Sequence, residues 1–147
     1  MKSKLLLRIA AIIMLLHGAF HTMGVATWQQ PGGDIPSQVV QTMQDIQFNF
    51  MGKDASTMAE FYSGFGYCGT IFLLFIAALL WIVSGWKDRS VTKILWITGF
   101  AIVLLAVDEI IYFFPMAVAF CLVSAALVFI SIRLKSKEAK QIKYPKI

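Results

Sequence analysis

Charge is scarce in this sequence: 14% of its 147 residues are Asp, Glu, Lys or Arg, against 59% hydrophobic, and the mean hydropathy is +0.74. Thirteen basic and eight acidic side chains cannot cover a water-soluble domain of this size, so a soluble globular fold is excluded. Cysteine is nearly absent. Cys68 and Cys121 are too few for a disulfide framework, and their spacing carries no zinc signature. Both read as small apolar residues in helix interfaces, each about 10 Å in from the outer end of its span. The net charge of +5 would suit nucleic acid, but the basic residues stand at the ends of apolar runs, so no nucleic-acid partner is expected. Nothing alternates in the ten-residue units of a transmembrane barrel.

Long apolar runs are what the chain has in abundance. Four can be marked, at about 5–27, 61–86, 92–114 and 115–132, each able as a helix to cross a hydrocarbon core of about 30 Å. Helices satisfy every backbone amide within the segment. The expected fold is therefore all-α, an integral membrane four-helix bundle in up-down-up-down order, since the connections GWKDRSVTK and YFFPMA are short. Residues 1–134 read as a single four-span domain and 135–147 as a solvated, disordered basic tail. A signal peptide is the rival reading of MKSKLLLRIAAIIMLL with GVA at 24–26, but Arg8 and His17 interrupt it, so the segment is expected to stay as the first span.

Of the thirteen Lys and Arg residues, all but Lys53 fall in three groups. Lys2, Lys4 and Arg8 open the first span, and Lys87, Arg89 and Lys93 join the second to the third. Arg133, Lys135, Lys137, Lys140, Lys143 and Lys146 follow the fourth. The positive-inside rule then predicts both termini on the cytoplasmic side. The acidic 28–59 connection, with Asp34, Asp45 and Asp54, is predicted outside. Within it Pro31, Gly32, Gly33 and Pro36 break the chain, and Val39, Val40, Met43, Ile46, Phe50 and Met51 recur at helical spacing. This predicts an outer amphipathic helix capped by Ser37 and interrupted at 54–56, lying at the interface or over the bundle mouth.

The polar residues inside the spans are the main functional signal. His17 and His21 lie one helical turn apart beside Gly18 and Gly24, about 15 and 9 Å below the outer end of the first span. Asp108 and Glu109 follow the unbroken AIVLLAV at about the depth of His21. Carboxylates at such a depth must be paired, water-accessible or protonated. The two are about 100° apart around the helix, so at most one points straight into the bundle. Glu60 stands at the mouth of the second span, with Tyr62, Ser63, Tyr67 and Thr70 below it and Gly64, Gly66 and Gly69 between.

Four readings share these residues. The histidines hydrogen-bond to an acid or to Tyr67 and only fix helix register. Alternatively His17, His21, Glu60, Tyr67, Asp108 and Glu109 line an outward-facing pocket for a lipid-like or other small amphiphile. A metal ion on His17, His21 and Asp108 is a third reading, and haem on the same residues a fourth. No reaction is demanded by the pattern, and no polar path runs to the cytoplasmic face. The expected partners are membrane lipids and a second copy or a larger membrane complex, in which the chain would serve as an accessory subunit.

The stretches LLRIAAIIMLLHGAFHTMGV, FYSGFGYCGTIFLLFIAALLW and IYFFPMAVAF resemble a family of small, uncharacterised four-helix proteins of the bacterial inner membrane. That likeness covers nearly the whole chain and implies the fold and a bacterial inner (cytoplasmic) membrane location, with no reaction attached. More distantly, the four-helix plan and "LLR" opening are similar to DoxX-like proteins. A histidine facing carboxylates is similar in architecture to sterol isomerases of the emopamil-binding type, without their residue pattern.

Overall fold

The computed structural model describes residues 2–33, 35–50, 53–86 and 90–143. Asp34, Met51, Lys87, Arg89 and Lys146 lie outside them, as do the side chains of Phe50, Lys53, Asp54, Lys137, Lys140 and Lys143. Five helices account for most of the described residues: α1 (Lys2–Thr27), α2 (Ser37–Asp45), α3 (Met58–Ser84), α4 (Ser90–Tyr112) and α5 (Pro115–Lys143). Between α2 and α3 two strands, β1 (Gln47–Phe50) and β2 (Lys53–Thr57), pair antiparallel. Among the described residues, four helices are long and apolar enough to cross a membrane: Lys2–Thr27, Met58–Ser84, Val91–Tyr112 and Pro115–Ser136.

Three local expectations are corrected. The amphipathic helix stops at Asp45, and Phe50 belongs to a strand. The physical reason is visible in QFNF, whose polar and apolar residues alternate with the period of a strand. Phe48 can then lay its ring edge against Phe61, 5.4 Å away between centroids. Ser37 does not cap α2; Pro36 holds that position with no side-chain hydrogen bond, and Ser37 is the first helical residue. The basic tail is helical as far as Lys143, because KSKEAKQIK is built of good helix formers that continue the last span. Pro115 opens α5, where its missing N–H leaves no bond unmade.

By contacts the chain divides into two compact units, residues 1–17 with 73–147, and residues 18–72. The first has one apolar core to which four helices contribute, including Leu7 and Met14 of α1, Leu80 and Val83 of α3, Leu95 and Ile102 of α4, and Cys121 and Val128 of α5. Two hydroxyls in and around it return to a carbonyl of the preceding turn, Thr98 to Ile94 and Ser131 to Val128, so these two donors are satisfied within their own helices. The Arg8 guanidinium lies 4.7 Å from the centroid of the Trp81 ring, a cation–π contact that eases the presence of a charge inside a span. At the end of α3 the Lys135 ammonium donates to the Trp86 carbonyl at 2.6 Å.

The second unit folds the connection onto itself. Trp28, Val40 and Ala59 form its small core, with Ile35 and Met43 packed against them. The Trp28 indole N–H donates to Ser63 Oγ at 3.0 Å while its ring meets the edge of Tyr62. Thr57 and Glu60 close a capping box at the start of α3. The Glu60 backbone N–H donates to Thr57 Oγ1 at 3.1 Å, and the Thr57 N–H donates to Glu60 Oε2 at 2.9 Å. At Gly66 a Cβ would stand 2.6 Å from Val25 Cγ2, so only glycine lets α1 and α3 come this close.

Candidate functional site

The buried stripe of each helix decides which polar side chains face inward. On α1 it runs Leu7, Ala10, Ala11, Met14 and His17, and His17, 4% exposed, is as covered as its apolar neighbours. On α4 it runs Val91, Leu95, Ile102, Ala106 and Glu109. Glu109 is 6% exposed, whereas Asp108, about 100° further round, is on an exposed face. On α5 it runs Ala117, Cys121, Ser124, Ala125 and Val128, with Cys121 wholly buried.

These stripes bring His17, Glu109 and Cys121 together. His17 Nε2 lies 3.2 Å from Glu109 Oε1, and its Nδ1 lies 3.7 Å from Cys121 Sγ. The imidazole stacks on Phe120 at 5.5 Å between centroids, tilted by 25°. One donor atom from each of His17, Glu109 and Cys121 lies within 4.8 Å of the other two. Glu109 Oε2 is buried with no hydrogen-bond partner among the described residues, and so is Ser124 Oγ one turn along α5 from Cys121.

The cluster of thiol, imidazole and carboxylate has definite chemistry. A neutral imidazole donates from one nitrogen and accepts at the other, so an Nε2–H aimed at Glu109 leaves Nδ1 to accept from the thiol. The three groups are mutually close rather than strung in line, and their donor types are those that ligate borderline metal ions.

The remaining residues singled out from the sequence lie elsewhere. His21 is half-buried, and its Nδ1 is 3.1 Å from Thr70 Oγ1. Thr22 Oγ1 donates to the Gly18 carbonyl at 2.6 Å and stands 3.3 Å from the same Thr70 oxygen. Gly69 faces the His21 ring, where a Cβ would come within 3.1 Å of Cε1. Tyr67 is exposed, and Glu60 is engaged in the α3 capping box. Cys68 is an exposed free thiol and Cys121 a buried one. Cys121, which by sequence reads as interface filler, is a neighbour of His17, and its place on the buried stripe of the last span is the signal for that.

Among the described residues, four helices long and apolar enough to cross a membrane and a buried imidazole–acid–thiol cluster in one unit are compatible with the class of multi-pass membrane proteins. No family model matches the chain, and no curated protein or solved structure matches it.

Proposed function

We propose that this chain is a bacterial inner-membrane protein whose working part is a binding site built on the His17–Glu109 pair. The bundle runs up-down-up-down with both termini cytoplasmic, because Lys2, Lys4 and Arg8 open α1, Lys93 opens α4, and Arg133 and Lys135 lie far along α5. Glu109 and Cys121 stand near the opposite ends of α4 and α5, so the site faces the outer half of the membrane. The likeness to small four-helix inner-membrane proteins, and more distantly to DoxX-like ones, belongs to this reading. The ligand is a lipid-like or other small amphiphile whose polar head meets the pair, and binding needs no reaction.

One observation carries the reading: a buried carboxylate that gives one oxygen to an imidazole and holds the other without a hydrogen-bond partner among the described residues. A contact serving helix packing alone gains nothing from an unpaired oxygen in hydrocarbon, since leaving such a group unmatched costs about 1–3 kcal/mol. The test is native mass spectrometry of the full chain released from gentle detergent. A molecule retained by the wild type and lost from both Glu109→Gln and His17→Ala supports the site. If the wild type retains nothing while both variants lose stability, the pair is a packing contact.

A further inference from the structure

Building on the reading that His17–Glu109 is a binding site, we infer that the same cluster holds a divalent, thiophilic metal ion of the zinc class, ligated by His17, Glu109 and Cys121. The donor set is the first argument. Imidazole nitrogen, thiolate sulfur and carboxylate oxygen together favour a borderline ion such as Zn2+ or Co2+ over the oxygen-seeking Mg2+ and Ca2+.

Geometry is the second. Two ligands of one tetrahedral zinc ion, at about 2.05 Å for nitrogen and about 2.3 Å for sulfur, stand about 3.5 Å apart. His17 Nδ1 and Cys121 Sγ are 3.7 Å apart. The Glu109 carboxyl group is within reach, since one donor of each residue lies within 4.8 Å of the other two. Its Oε2 is the buried oxygen left without a hydrogen bond among the described residues. Oε1 lies 3.2 Å from Nε2, so the carboxyl group already stands beside the imidazole and turns from that nitrogen to the ion when the site is filled.

Charge is the third. A thiolate, a carboxylate and a neutral imidazole bring two negative charges, which a divalent ion cancels, and a neutral cluster is the one that a low-dielectric interior tolerates. Three protein ligands leave a fourth tetrahedral position open, the pattern of sites where zinc meets a further ligand rather than serving as structural filler. That open position is where the polar head of the amphiphile docks.

The experiment is a Co2+ titration of chelator-stripped full-length protein in detergent, in a Cys68→Ser background so that the exposed thiol does not contribute. The expected result is one equivalent of Co2+ bound with tetrahedral visible bands and a near-ultraviolet thiolate-to-cobalt charge-transfer band, displaced by Zn2+ and untouched by excess Mg2+. Cys121→Ser removes the charge-transfer band while the protein stays folded by circular dichroism, and Glu109→Gln weakens binding at least tenfold. A folded protein that shows no charge-transfer band, or a Cys121→Ser variant that keeps it, overturns the metal site. If Co2+ fails to bind while an amphiphile is still retained through His17 and Glu109, the metal is wrong and the binding site stands. If neither is retained, both readings fall.

Discussion

Two histidines one turn apart on α1 have different surroundings. His17 is buried in the larger unit with an acid at one nitrogen, a thiol at the other and a phenyl ring against its face. His21 is half-buried in the smaller unit beside the Thr70 hydroxyl and the bare Gly69 backbone. The contrast teaches that depth in an apolar run does not by itself mark a site. What distinguishes His17 is the charge and softness of its neighbours, which a hydroxyl does not supply.

The largest expected effect follows from that difference. In the metal-stripped protein, His17→Ala takes from buried Glu109 Oε1 its imidazole partner, and equilibrium unfolding in mixed micelles should show a loss of about 1–3 kcal/mol. Next comes Gly66→Ala, whose methyl meets Val25 Cγ2 at 2.6 Å and should cost about 1–3 kcal/mol through overpacking. Adding Val25→Ala should recover much of that loss, while Gly64→Ala, with nothing within 4 Å of the new methyl, should not destabilise. Thr57→Ala, which opens the capping box at α3, should cost about 1 kcal/mol and speed hydrogen exchange in its first turn. His21→Ala is the smallest, at about 0.6 kcal/mol, the average of a polar contact between membrane helices. An equal cost at His21 and His17 would break the contrast on which the site rests.

How far the sequence could be read follows from the same physics. The spans were legible because length and apolarity alone mark them, and their ends fall within a few residues of 5–27, 61–86 and 92–114. That an acid of the third span belongs with a histidine of the first was legible too, because a buried carboxylate needs a partner. Which acid was not legible: Asp108 shares its side of α4 with Leu104 and Ile111, as apolar as Leu95 and Ile102 on the buried stripe. In lipid both faces of a helix are greasy, so polarity no longer tells inside from outside. The hairpin was hidden for a different reason. Val39, Val40, Met43 and Ile46 continue into Phe50 at helical spacing, and only the alternation within QFNF distinguishes the strand.

The brevity of the α4–α5 link, with Phe113 and Phe114 alone between the two helices, bears on how the cluster is assembled. Glu109 and Cys121 are twelve residues apart, while His17 is separated from Cys121 by 104. Closing the short loop costs about 2 kcal/mol less chain entropy than closing the long one. Acid and thiol are thus neighbours within one helical hairpin, whereas the imidazole has to be brought to them from the first helix of the chain.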